Sequence, residues 1–167
     1  AAEAVTAVEA ARARIDELAA SGKPVYGVST GFGALATTYI APEMRHQLQR
    51  SLVRSHAAGS GAEVETEVIR AMMLLRLATL ATGRTGVRLS TAEAYLGMLN
   101  ANITPIVFEY GSLGCSGDLA PLAHCALALM GEGVVRMADG SRKCAAEALA
   151  TAGLTPVELE EKEGLSL

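Results

Sequence analysis

The stretch that most constrains the fold covers residues 111–124, where a glycine-rich turn passes directly into an apolar segment. The first half carries three glycines at intervals of three residues, and glycine adopts the left-handed conformations that tight turns require. Asp118 follows, and aspartate is favoured at helix N-caps. Residues 119–130 are then almost entirely apolar. A helix that is apolar on all sides is normally buried, so this segment is predicted to lie at the centre of the molecule.

The tripeptide Cys115-Ser116-Gly117 in this turn can also modify its own backbone. Gly117 has no side chain to shield its amide nitrogen, which can attack the Cys115 carbonyl two residues earlier. Loss of water closes a five-membered ring through Ser116, and loss of the Ser116 hydroxyl leaves an electrophilic exocyclic methylene. The side chain of Cys115 stays outside that ring. The alternative is a plain tight turn before a buried helix, and the spacing alone favours this plainer interpretation.

The whole string resembles the electrophile motif of the aromatic amino-acid ammonia-lyases. The match continues through Asp118-Leu119-Ala120-Pro121-Leu122-Ala123-His124. The resemblance implies that Cys115, Ser116 and Gly117 form a methylidene-imidazolone (MIO) group autocatalytically, with Asp118 as a helper and without any metal. Ala-Ser-Gly is the commonest triplet in that family, so the cysteine is a departure that leaves the ring chemistry intact. His124 is expected to be a hydrogen-bonded core histidine rather than a catalytic one.

Two further motifs resemble the same family. Residues 25–33 contain three glycines in seven residues and form a pliable loop. A phosphate cradle is disfavoured there because the lysine of a P-loop is missing. The loop is similar to one that covers the active site in the family, which implies that Tyr26 is the catalytic base. Residues 48–59 also match, and the Ser55-His56 pair resembles the histidine-acting branch, which implies that His56 binds the substrate.

The bulk composition excludes several classes of protein. Half of the 167 residues are apolar, 19% are charged, and the net charge is −4. A nucleic-acid partner is disfavoured because no basic stripe is present. Three cysteines without a CxxC pair indicate neither a disulfide framework nor a structural zinc site, and favour a reduced, cytoplasmic setting. No membrane-spanning segment is expected. The high apolar content suggests that the chain packs against more protein.

The periodicity of the remaining chain predicts a mainly α fold in one unit, residues 1–167. A capping box at residues 90–93 opens one helix, and an apolar stripe of Met44, Leu48 and Leu52 marks the predicted buried face of another. Residues 134–137 and the Asp139-Gly140 turn that follows them indicate a small β-hairpin. The predicted helices cover residues 1–21, 42–57, 63–82, 90–100, 119–130, 145–152 and 157–164.

The resemblance covers the whole chain and implies the N-terminal portion of the ammonia-lyase helical fold. The expected reaction is the non-oxidative elimination of ammonia from L-histidine to give trans-urocanate, a step of histidine catabolism, in a homotetramer. Family chains continue with a Leu-Asn-Gly segment after residues 163–167, so this chain alone is expected to be inactive. The near alternative is a phenylalanine or tyrosine ammonia-lyase or an aminomutase. The distant alternative is a non-catalytic helical interaction domain.

Overall fold

The structure, a computed structural model, describes residues 1–115 and 117–167. It is mainly helical, which confirms the predicted fold class. Short 3-10 turns occur at Gly33–Leu35 and Pro42–Met44. Over the described residues the helices are α1 (Ala2–Ala20), α2 (Arg45–His56), α3 (Thr66–Ala81), α4 (Leu89–Asn100), α5 (Leu119–Leu129), α6 (Ala145–Thr151) and α7 (Glu163–Ser166).

Two small antiparallel sheets accompany the helices. Strands β1 (Ser60–Glu63) and β3 (Phe108–Tyr110) form a pair. Strands β2 (Thr104–Pro105), β4 (Val134–Arg136) and β5 (Arg142–Cys144) form the second sheet in the order β2-β4-β5. The β4-β5 pair is the predicted hairpin, closed by the turn at residues 137–141.

Helix α5 is the centre of the core, as its sequence predicts. Six of its eleven residues are buried, and it packs against α2, α4 and α6. Cys125 and Leu129 point into the same apolar cluster as Met73, Leu80 and Met98. Small residues on α5 allow this close approach, because an alanine-rich surface lets neighbouring backbones come near.

Two predicted helix boundaries were wrong. The helix expected from residue 63 begins at Thr66, because Glu63 belongs to β1 and its carboxylate pairs with Arg136 and Arg142. The acidic helix expected at residues 157–164 is largely absent: only the short α7 forms. Residues 154–160 before it form neither helix nor strand, and the backbone N–H of Val157 donates to the Leu129 carbonyl at 3.0 Å. Pairing with distant parts of the chain therefore overrides local helix preference at both places.

The predicted capping box does not form. Helix α4 begins at Leu89 and its N-cap makes no side-chain hydrogen bond. The Thr91 hydroxyl donates instead to Glu163 Oε1 at 2.7 Å. Thr91 thus links α4 to α7 through this hydrogen bond.

The buried face of α2 also differs from the prediction. Met44 is 53% exposed, and the buried positions of the helix are Arg45, Gln49 and Val53. Arg45 is accommodated because it donates to the carbonyls of Ile40 and Ala19, at 3.2 and 3.1 Å. Polar side chains with satisfied hydrogen bonds therefore take the positions that the apolar stripe was expected to hold.

Helix α3 buries only one side of its wide apolar surface. Ile69, Met73 and Leu80 are in the core, whereas Leu74 and Leu75 are 56% and 70% exposed. The rest of the apolar surface of α3 is therefore not covered by the described part of this chain. Within the described ranges, no helix is both long and apolar enough to cross a membrane.

Candidate active site

The loop that carries Tyr26 is wound into a tight turn over the core. The Val25 carbonyl accepts hydrogen bonds from the N–H groups of residues 28–30, at 3.0 to 3.2 Å. Ser29 is buried, and its hydroxyl accepts from Val25 N and donates to the Lys23 carbonyl. The loop backbone is therefore fixed, while the Tyr26 side chain is 48% exposed. Its ring meets Phe32 edge-on, with centroids 5.9 Å apart.

His56 ends helix α2, and its ring orientation is fixed by its own helix. His56 Nδ1 lies 2.9 Å from the Leu52 carbonyl oxygen and 2.9 Å from Ser55 Oγ. Because a carbonyl can only accept, Nδ1 carries the proton and donates to Leu52. The Ser55 hydroxyl in turn donates to the same carbonyl at 2.8 Å. In the neutral ring the other nitrogen, Nε2, is therefore an acceptor.

The glycine-rich turn before α5 is organised by Asp118. Its carboxylate accepts from Leu113 N at 2.9 Å and from the Ser112 hydroxyl. Asp118 occupies the N-cap position of α5 but makes no capping hydrogen bond with its side chain, which corrects the expected helix cap. The carboxylate instead draws residues 112–113 back over the start of the helix.

The three residues of the predicted electrophile are described only in part. Gly117 has a φ of +72°, a conformation that other residues rarely adopt, and a Cβ there would meet no atom within 4 Å. Cys115 is exposed with a free thiol. Ser116 lies outside the described residues.

One cavity brings the three motifs together. It has a volume of about 320 Å³ and is lined by Tyr26, His56 and Gly117. Its apolar wall includes Val53, Ala123 and Ala126 from α2 and α5. The sequence places these motifs about thirty to ninety residues apart, yet the fold gives them a common space. Cys115 and Asp118 do not line the cavity. They lie two residues before and one residue after Gly117 in the chain.

The cavity also has a polar wall residue that the sequence reasoning missed. Arg76 of α3 lines it and donates to the backbone carbonyls of Ser166 and Leu167, at 2.6 and 2.9 Å. Burial lowers the pKa of Arg76 from its usual value. An arginine inside the apolar run of residues 72–80 was the available signal, because a buried charge needs nearby partners.

His124 connects two of the motifs. Its Nε2 accepts the backbone N–H of Gly59 at 3.1 Å, and its ring meets Phe108 edge-on with centroids 5.5 Å apart. Burial lowers the pKa of His124. The predicted role as a hydrogen-bonded histidine is consistent with this contact. Across residues 1–115 and 117–167, no cluster of three or more His, Cys, Asp and Glu side chains could hold a metal ion.

A tyrosine, a histidine and the glycine of the predicted cyclisation tripeptide thus line one cavity, which is the arrangement expected for the family that the sequence resembles. The profile of the family described as aromatic amino acid lyase matches residues 1–167. The chain belongs to that family.

Individual relatives agree with this assignment. The chain is 64% identical over 165 residues to a histidine ammonia-lyase of Streptomyces coelicolor. This match covers 99% of this chain and 32% of the relative. A histidine ammonia-lyase structure from Trypanosoma cruzi matches with a TM-score of 0.91 and 39% identity, over 100% of this chain and 32% of that one. A phenylalanine aminomutase of Pantoea agglomerans matches with a TM-score of 0.94 and 31% identity, over the same shares. The chain therefore spans about 32% of the length of the relatives it matches.

Proposed function

We propose that this chain is the electrophile-bearing portion of an enzyme that eliminates ammonia from L-histidine to give trans-urocanate. The observation that carries the proposal is the shared cavity, because Tyr26, His56 and Gly117 all line it. The identity of 64% to a histidine ammonia-lyase supports the choice of substrate. A non-catalytic scaffold would have no need for a tyrosine, a histidine and the glycine of a cyclisation motif around one space.

His56 is the proposed binding partner of the substrate imidazole. Its Nδ1 proton is directed to the Leu52 carbonyl, so a neutral His56 offers Nε2 as an acceptor. An imidazole substrate can donate one N–H to such an acceptor. A phenyl ring offers no donor and would leave Nε2 unpaired, at a cost of roughly 1–3 kcal/mol.

Tyr26 is the proposed base that removes the β-proton of the substrate. A base must be in its deprotonated form to accept that proton, and hydrogen bonds to the charged form favour it. The backbone N–H of Gly33 points at the Tyr26 oxygen from 3.4 Å. Further donors to this oxygen are expected from parts of the enzyme beyond this chain.

Residues 115–117 are the proposed source of the MIO group, with Asp118 as the helper. The fit is favourable, since Gly117 adopts a positive φ with open space around its α-carbon, and the Asp118 carboxylate holds the neighbouring backbone at Leu113. The group would supply an electrophilic methylene for the substrate amine. The N-terminus of α5 follows directly, and the positive end of a helix dipole stabilises negative charge that develops beside it.

The proposed enzyme is a homotetramer whose active sites draw on several subunits. Support comes from apolar side chains that this chain leaves exposed, such as Leu75 at 70% and Leu113 at 84%. These side chains are available for burial against the rest of the enzyme or a neighbouring subunit. The chain of residues 1–167 alone is expected to be inactive.

The test uses the complete protein with L-histidine, L-phenylalanine and L-tyrosine as separate substrates. The proposal predicts release of ammonia and formation of urocanate from histidine, and a peptide around residues 115–117 that is lighter by two water molecules. A β-amino acid product without ammonia would instead show an aminomutase. An unmodified peptide, or a preference for phenylalanine, would contradict the proposal.

A further inference from the structure

Gln49 is a fully buried polar side chain that contacts two separate walls of the cavity. Its exposed fraction is 0%. Its Oε1 accepts the backbone N–H of Gly164 at 2.9 Å, and its Nε2 lies 3.5 Å from the Gly27 carbonyl oxygen. Gly164 itself lines the cavity, and Gly27 follows the cavity residue Tyr26. A single amide on α2 thus joins the Tyr26 loop to α7.

Both glycines at this junction lack the room for a side chain. A Cβ on Gly164 would lie 2.9 Å from the Gln49 backbone oxygen and 3.0 Å from Gln49 Oε1. A Cβ on Gly27 would lie 2.7 Å from Leu165 Cδ2, and its φ is +70°. The backbones at both glycines are therefore packed tightly against their neighbours, and such packing leaves the three segments little freedom to move relative to one another.

The junction lies behind the cavity on the same stripe of α2 as His56. Gln49, Val53 and His56 are at positions i, i+4 and i+7, which share one helix face. Val53 and His56 line the cavity. A shift of the Tyr26 loop or of α7 relative to Gln49 would therefore change their distances to His56.

We propose that Gln49 is a positioning residue for the reaction, holding the Tyr26 loop and α7 in register with His56. This role rests on the function proposed above. The amide is suited to it because one end accepts an N–H and the other donates to a carbonyl. Leucine, of similar size, offers neither function and leaves the Gly164 N–H without this acceptor. Glutamate retains the acceptor but cannot donate to Gly27.

The test compares Gln49→Leu and Gln49→Glu with the wild type in the complete enzyme. A misplaced base slows the chemical step more than it weakens binding, and a displacement near 1 Å can cost on the order of 100-fold. We expect Gln49→Leu to lower kcat by roughly ten- to a hundred-fold while KM changes less than about threefold. Gln49→Glu should retain more of kcat, because the bond to Gly164 persists. The modified peptide at residues 115–117 should form in all three proteins.

Leu149→Ala is the matched control for a loss of stability alone. Leu149 is 1% exposed, belongs to α6, and does not line the cavity. A large-to-small core change of this kind destabilises a protein because it leaves a cavity. We expect it to lower the melting temperature while kcat stays within about twofold of the wild type. If Gln49→Leu behaves like Leu149→Ala in kcat, Gln49 is merely structural and the proposal is overturned.

Hydrogen exchange separates this proposal from the function on which it rests. In Gln49→Leu, the amides of Gly164 and of residues 28–30 should exchange at least about tenfold faster, whereas Leu149→Ala should leave them unchanged. A wild-type enzyme that releases no ammonia from histidine would refute the proposed function. Hydrogen exchange would still test the role of Gln49, since unchanged amide exchange rates in Gln49→Leu would refute its positioning role.

Discussion

Replacing Glu163 by glutamine should destabilise the protein by about 3 kcal/mol, because the carboxylate is surrounded only by donors. Glu163 is 0% exposed. Its Oε1 accepts from Arg88 N and Thr91 Oγ1, at 2.9 and 2.7 Å. Its Oε2 accepts from Arg88 Nη2 at 2.7 Å, from Arg88 Nε at 3.2 Å and from Glu160 N at 2.9 Å. A glutamine NH₂ would face two or three donors in either orientation.

The pH dependence of this effect follows from the pKa of Glu163. Burial alone would raise that pKa, but the hydrogen bonds from Arg88, Glu160 and Thr91 outweigh it, so the pKa is lowered from 4.5. Because the pKa is lowered, the unfolded state binds more protons than the folded state at pH values from the folded-state pKa up to about 4.5. The contribution of Glu163 is therefore fully present above that pH and is lost as the pH falls through the pKa of the folded state. Wild type and Glu163→Gln should converge in stability at acidic pH.

Thermal unfolding followed by circular dichroism at pH 7 measures the difference. A loss of about 3 kcal/mol corresponds to a melting temperature lower by about 6–12 °C for a unit of this size. Glu147→Gln is the matched control, because Glu147 makes only a surface pair with Lys143 at 3.8 Å and should change stability by less than about 0.5 kcal/mol. Equal melting temperatures for Glu163→Gln and Glu147→Gln would refute the reasoning.

Three further predictions concern the other motifs. Ser116→Ala in the complete enzyme should abolish turnover and the loss of two water molecules without unfolding the protein; full turnover would contradict the assignment. Tyr26→Phe should lower kcat by about 100-fold or more with the peptide modification retained, and an unchanged rate would remove Tyr26 from the mechanism. His124 accepts the Gly59 N–H, and burial lowers its pKa from 6.5, so stability should decline as the pH drops from about 6.5 to the folded-state pKa and then level off. His124→Gln should lack that decline in a series of melting temperatures, and an identical series would count against the contact.

The sequence was sufficient where the determining interactions are local. Helix α1 and hairpin β4-β5 follow from periodicity and turn residues, and they appear where they were predicted. The apolar character of α5 likewise predicts its central place. The motifs around Tyr26, His56 and Gly117 were recognisable as strings, and the fold brings them to one cavity.

The sequence was insufficient where distant residues compete for the same groups. The capping box predicted at residues 90–93 does not form, and Thr91 within it bonds Glu163, which lies seventy-two positions away. Gln49 was not singled out from the sequence, and its burial depends on hydrogen bonds to Gly27 and Gly164. No local pattern reports such partners, because hydrogen bonds that satisfy a buried polar group are set by tertiary packing.

The central claim is that this cavity binds histidine through His56, and the most direct measurement is the ratio of kcat/KM for histidine and phenylalanine. Wild type and His56→Leu should be compared in the complete enzyme. The account predicts that the substitution lowers kcat/KM for histidine by about one to two decades, with a smaller fall or a gain for phenylalanine. His56 would then act as a ligand rather than only as a helix-end residue. An unchanged preference for histidine, accompanied by a modest loss of stability, would contradict the account.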